Sequence, residues 1–404
     1  MKKVILSFLA LVSLTASAQF GGFGGFGGGG GNPWVDSEAA TVEDFKPAKS
    51  NQDSKQYPMV NSARQVRAQI MAPDAKKVGL DIAGKIYTMT KDENGLWTGT
   101  SAPQDPGFHY YQLNVDGASV PDPGSTYYYG ASRWGSGIEV PSDDEDFWQV
   151  KNVPQGSMGE VYYYSSVTEQ MRRCFVYLPN EYFTNPTKKF PVLYLQHGMG
   201  ENEYSWPYQG HVASIMDNLI AEKKAVPFIV VMDNGLNANA PRPAGQAPQG
   251  GQRPQGGFGG FGGFGGGFAD GFKNVLFNDI IPMIEKNYRV IADPEHRAYS
   301  GLSMGGMQAR EITLANPGKF AYVGSFSSGA WSVDQVKNSE GFAQKTKLLF
   351  MSGGGKENMG CVEAAKNIKT QLGMNAVGYE SEGTAHEFHT WRRSLHEFAQ
   401  LLFK

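Results

Sequence analysis

Two hydrophobic rhythms divide the chain. Between about residues 60 and 140, apolar and aromatic side chains fall on every second position: Val66, Ala68 and Ile70; Val78, Leu80 and Ile82; Tyr111, Leu113 and Val115. A period of two sends one face of an extended segment to a core and the other to water, so each run predicts a half-buried strand. Asn94-Gly95 and Asp116-Gly117 supply the residue pairs that tight hairpin turns require. Residues 56–145 therefore read as a small β-sandwich. Further on the runs become continuously apolar, at residues 173–178, 191–195, 228–232, 322–326 and 347–351, with another strand at 376–380. Helical segments at 215–221, 275–286 and 388–403 fall between or after them. Buried strands alternating with helices predict an α/β fold over residues 146–404, a mostly parallel sheet with helices on both faces.

The remaining stretches have other textures. Residues 20–31 are a Phe-Gly-Gly repeat ending in glycines, and the repeat returns at 256–267 inside an insertion spanning 237–269. Such composition buries too little surface to offset its ordering entropy, so both copies are expected to be mobile, the first within a segment and linker over 19–55. The insertion follows Asp233-Asn234-Gly235 at the carboxyl end of a strand, which makes it either a flap over a site or an inert loop. Lys2-Lys3, an apolar run over 4–12 and Ala16-Ser17-Ala18 make residues 1–18 a secretory signal peptide, too short to span a bilayer. A secreted or periplasmic protein without a membrane anchor is expected. The run Ser142-Asp143-Asp144-Glu145-Asp146 reads as an exposed acidic joint. A net charge of -3 without a basic block argues against a nucleic-acid partner. The two cysteines, Cys174 and Cys361, are expected to be free.

Candidate chemistry centres on Gly301-Leu302-Ser303-Met304-Gly305. If the preceding residues are a strand and the following ones a helix, the glycines allow a sharp turn that lifts the Ser303 hydroxyl above the sheet. His197-Gly198-Met199-Gly200 follows another strand, so the main-chain N–H groups of Met199 and Met304 could receive an oxyanion. Three histidines follow Ser303. His386 lies in a loop before the last helix, whereas His389 and His396 fall within the helical pattern, on its flank or exposed. Glu357, in the loop after the strand at 347–351, is the acid placed to orient His386, with Asp334 as competitor. His386-Glu387-Phe388-His389 lacks the spacing of a zinc motif, and no metal or cofactor is expected.

These motifs, with Trp206 and Trp391, resemble the family of bacterial feruloyl, acetyl-xylan and enterochelin esterases, over residues 160–404. The β-sandwich is similar to the immunoglobulin-like modules that precede such enzymes. The resemblance implies an α/β-hydrolase with Ser303 as nucleophile, His386 as base and Met199 and Met304 as oxyanion donors. Many members carry aspartate where Glu357 stands. The substrate it implies is a feruloyl or acetyl ester on plant xylan, with Trp206, Tyr208 and Trp391 as aromatic contacts. Alternatives are a siderophore esterase, disfavoured because no basic cluster would receive an anionic trilactone, and a noncatalytic carbohydrate-binding protein. Because every candidate catalytic residue lies at or after Met199, the front module is expected to add affinity for polymer and no chemistry. A chain starting near Gly159 would then hydrolyse small esters unaided.

Overall fold

The computed structural model describes residues 32–236 and 268–404. The signal-peptide pattern, both Phe-Gly-Gly tracts and nearly all of the expected flap lie outside them. No helix among the described residues is long and apolar enough to cross a membrane.

The alternating runs form a sandwich of one seven-stranded and one five-stranded sheet. Val66, Ala68, Val78, Leu80, Ile82, Trp97, Leu113 and Ile138 fill the space between them. The sandwich starts earlier than residue 56. Trp34–Val35 pairs with the strand Lys85–Thr88, and Lys46–Pro47 pairs with Met59–Val60. The Lys77 ammonium over the Trp34 ring helps to tie this end of the chain down.

The continuously apolar runs form the second sheet: β1 (Ser157–Ser165), β2 (Gln170–Leu178), β3 (Val192–Gln196), β4 (Ile229–Asp233), β5 (Arg297–Gly301), β6 (Tyr322–Phe326), β7 (Leu348–Gly354) and β8 (Ala376–Ser381). Their order is β1-β2-β4-β3-β5-β6-β7-β8. β1 and β2 are antiparallel to their neighbours and the rest are parallel. One face is covered by α1 (Val212–Ala221) and α5 (Phe388–Ala399). The other carries α2 (residues 268–287), α3 (Met304–Ala315) and α4 (Cys361–Leu372). Helix α2 begins before the expected residue 275 and widens to a π-turn over Leu276–Ile280. Pro282 follows that turn and has no N–H to continue the regular ladder. Cys174 and Cys361 are free and buried, as expected.

The front sandwich is not an appendage. Phe108 belongs to the core beneath α5 and meets Phe388 edge-on at 5.9 Å, while Tyr110 and Tyr128 pack against the same core. A β-carbon at Gly107 would fall 2.8 Å from that of His389. Covered on both faces, α5 buries nine of its twelve residues, so His389, expected on the flank of the helix or exposed, is enclosed. The acidic joint is likewise anchored: Asp144 pairs with Arg393 at 2.7 Å and Glu145 with Lys49 at 2.5 Å.

The strongest tie is an ion pair. Arg392, 0% exposed, holds both carboxylate oxygens of Glu139 from the sandwich and donates through Nε to the Gln209 carbonyl at 2.7 Å. Burial alone would raise the Glu139 pKa, but the Arg392 charge and hydrogen bonds from His211 and Arg392 hold it at about 2. Removing the sandwich would take away the Glu139 counter-charge and expose to water the side chains of α5 that pack against Phe108. A chain starting near Gly159 is therefore expected to fold poorly, contrary to the picture of a detachable module. Glu139→Gln is expected to lower stability by about 3–5 kcal/mol in urea unfolding. Because the folded pKa lies below the usual 4.5, this stabilisation is complete above that pH and fades as the pH falls toward 2. The acid-dependent part should be missing from Glu139→Gln, and an identical slope in both proteins would contradict the assignment.

Candidate active site

Ser303 stands between β5 and α3 with φ 50° and ψ -113°, a conformation that side chains strongly disfavour. Close backbone packing imposes it. The Ser303 N–H donates to the Phe326 carbonyl at 2.7 Å, and the Gly305 N–H to the Leu302 carbonyl at 2.7 Å. A β-carbon on Gly301 would lie 2.5 Å from the Gly305 carbonyl carbon, and one on Gly305 would lie 2.6 Å from the His197 carbonyl oxygen. Only glycine fits at either position, and the turn between them holds the Ser303 hydroxyl half-exposed at the carboxyl edge of the sheet.

Two loops from the same edge complete a hydrogen-bonded chain. His386, between β8 and α5, places Nε2 3.0 Å from Ser303 Oγ and Nδ1 2.7 Å from Glu357 Oε1. Glu357 ends the short turn Gly355–Glu357 directly after β7. Its Oε2 accepts from Ser327 Oγ and from the Gly354 N–H, each at 2.7 Å. Burial would raise its pKa, but hydrogen bonds and charge from His386, with those from Ser327 and Gly354, bring it below the usual range. Glu357 is therefore an anion at neutral pH. Asp334 is instead exposed on the short helix Val333–Lys337. Ser327, at φ 47°, is a partner that the sequence does not announce, since it belongs to no motif.

The loop after β3 lies against Ser303. A β-carbon at Gly198 would be 2.6 Å from Leu302 Cδ1 and 3.3 Å from Ser303 Cβ. The His197 ring is buried and accepts the Gly235 N–H at Nε2, 3.1 Å away, with Nδ1 2.7 Å from the Gly198 carbonyl. Burial lowers its pKa, so it is a neutral structural strut. The Gly198 N–H is taken by Glu201 Oε2 at 3.1 Å, whereas the Met199 N–H meets no acceptor among the described residues. The Met304 N–H, in the first turn of α3, has no acceptor within the helix either. Burial pushes Glu201 up to about 8, so it is mostly protonated at neutral pH.

The tryptophans require a correction. Trp206 and Trp391 are each 1% exposed, too enclosed to be the ligand contacts expected of them. Trp206 donates from Nε1 to the Gln196 carbonyl at 2.9 Å, bracing the end of β3. Trp391 meets the His386 ring at 5.1 Å and 90°, which limits its tilt. Their size and aromatic character serve the core, and proximity in sequence to the motifs could not distinguish packing from binding. Tyr208 alone of the three is exposed. His389 is unsuited to act as a base, since burial and the nearby Arg393 charge lower its pKa to about 4.

A model of the Esterase family matches residues 165–401, a span that includes the Ser303 turn and the loops carrying Met199, Glu357 and His386. The chain belongs to this esterase family. It is 43% identical over 370 residues to an endo-1,4-beta-xylanase/feruloyl esterase of Xylanibacter ruminicola, covering 90% of this chain and 48% of that protein. The esterase chain thus spans about half the length of that curated relative. Among solved structures, a CE1 ferulic acid esterase from the anaerobic fungus Anaeromyces mucronatus, in complex with ferulic acid, covers 65% of this chain and 96% of its own, at 23% identity and TM-score 0.51. The enterobactin esterase of Shigella flexneri covers 84% of this chain and 93% of its own, at 15% identity and TM-score 0.58. These likenesses establish the α/β-hydrolase fold, and the second is too extensive to stop at the catalytic domain. For this esterase, Gly305→Ala should force the elbow against the His197 carbonyl and cost about 1–3 kcal/mol of stability. Thermal unfolding measures it, and an unchanged midpoint would mean that the close approach relaxes freely.

Proposed function

We propose that the chain is an exported serine esterase that cleaves feruloyl or acetyl esters of plant cell-wall xylan through an acyl-enzyme. The observation that carries the chemistry is the hydrogen-bond chain from Glu357 through His386 to Ser303. His386 Nε2 takes the hydroxyl proton as Ser303 Oγ attacks the ester carbonyl. Glu357 holds the proton on Nδ1 and stabilises the imidazolium that forms. The Met199 and Met304 amides receive the oxyanion, at a helix amino end that favours negative charge. The alcohol leaves with the proton from His386, and water repeats the sequence to release the acid. Every proton in this cycle is carried by His386.

The substrate assignment is supported by the name of the Xylanibacter ruminicola relative and by the signal-peptide pattern at residues 1–18. Methyl ferulate and acetylated xylan, compared as substrates, would identify the acyl group. Ser303→Ala should lose on the order of 10⁴-fold or more in turnover of p-nitrophenyl acetate while keeping its circular-dichroism spectrum. Substantial remaining turnover would remove Ser303 from the mechanism. Glu357→Gln should also lose much of its turnover, because an amide cannot hold the His386 imidazolium as a carboxylate does. Asp334→Asn should behave like the parent, and the opposite ranking would transfer the acid role.

A further inference from the structure

The peptide that carries the Met199 N–H is held through its Gly198 carbonyl, which lies 2.7 Å from His197 Nδ1 and accepts from the Glu201 N–H at 3.3 Å, and the chain is tied again on either side of it. On its amino side, the Gly198 N–H is held by the buried Glu201 carboxyl. On its carboxyl side, the Gly200 carbonyl accepts from the Ser132 N–H at 2.8 Å. Ser132 comes from the front sandwich, where it and Ala131 form the two-residue tip joining the strands Tyr127–Gly130 and Arg133–Val140. Both tip residues have positive φ, 51° and 62°, the sense that matches strand twist in a tight hairpin. The same hairpin holds the loop at two further points. Gln209 Nε2 donates to the Tyr129 carbonyl at 2.8 Å, and Trp134 meets Tyr204 edge-on at 5.0 Å.

We propose that Ser132 is a positioning residue for ester hydrolysis: its main-chain N–H, delivered by the front sandwich, fixes the Gly200 carbonyl and so the carboxyl side of the turn that aims the Met199 N–H. The inference rests on the reading of Met199 as an oxyanion donor. Such a donor is effective only when aimed before the charge develops, because reorienting it during reaction would cancel its benefit. A loop with glycine on both sides of Met199 has little intrinsic stiffness. His197 and Glu201 fix the amino side from inside the catalytic domain, and the sandwich fixes the carboxyl side from outside. The contact should therefore act mainly on turnover, since full negative charge on the substrate oxygen exists only near the transition state.

The test is steady-state kinetics of the full chain on p-nitrophenyl acetate, with thermal unfolding of each variant. Ser132→Pro removes the donor and cannot adopt the positive φ. Replacing residues 130–133 by an Asn-Gly pair keeps a two-residue hairpin but withdraws its tip by about 3.4 Å. Each is expected to lower kcat about tenfold or more with KM within about twofold, and the conservative Ser132→Gly, which keeps the N–H, to restore kcat to within about twofold of the parent. If Ser132→Pro fails to fold, the shortened hairpin decides. A folded hairpin variant with parental kcat, or with only KM raised, would overturn the proposal, as would an equal loss in Ser132→Gly. Ser303→Ala in the same assay separates the two levels. Its inactivity beside fully active hairpin variants would remove the positioning role alone, whereas activity in Ser303→Ala would remove the catalytic reading beneath it.

Discussion

The constraint on which the site depends is the close approach of three backbone segments at Ser303. The end of β5, the start of α3 and the loop after β3 pass within contact of one another because Gly301, Gly305 and Gly198 carry no side chains there. That packing holds Ser303 at a disfavoured φ and ψ, beside two main-chain N–H groups, of Met199 and Met304, that meet no acceptor among the described residues. Strain of this kind costs of the order of 1–3 kcal/mol and persists only where its surroundings determine it. Here those surroundings are the fully buried strands β3, β4 and β6.

Around this centre, electrostatics are arranged by burial and pairing. Glu357 is kept ionised by three hydrogen-bond donors, where it can support charge on His386. Glu201, with a single donor, is kept mostly protonated beside the loop that carries Met199. Glu139 is ionised because Arg392 meets it where both are buried. Through that pair and the hairpin tip, the sandwich bears on both α5, which follows His386, and the loop carrying Met199. The two-domain division visible in the sequence is thus a division of folding pattern more than of mechanical role.

The sequence rhythms identify the sandwich and the parallel sheet because periods of two and continuous apolar runs reflect burial on one face or two. Glycines and strand ends mark the loops that carry Ser303, His386 and Glu357, which the structure joins in one hydrogen-bonded chain. The boundary near residue 56 failed because Trp34–Val35 and Lys46–Pro47 are short strands whose order comes from distant partners. Helix α5 departs from its sequence pattern for a related reason: amphipathicity implies one wet face, and the sandwich covers that face with Phe108 and Glu139. Trp206 and Trp391 look like ligand contacts in sequence because an aromatic near a motif serves binding or packing equally well, and only three-dimensional enclosure separates the two. Ser132 carries no local signal, since a main-chain N–H contributes nothing to side-chain pattern.

The most direct measurement of the central claim is peptide mass mapping after inactivation by an aryl-leaving organophosphonate, which requires an activated hydroxyl and an oxyanion site. The account requires stoichiometric modification of Ser303, prevented when His386 is replaced by alanine. Loss of activity with the adduct on another residue, or modification of Ser303 at the parental rate in the absence of His386, would contradict it.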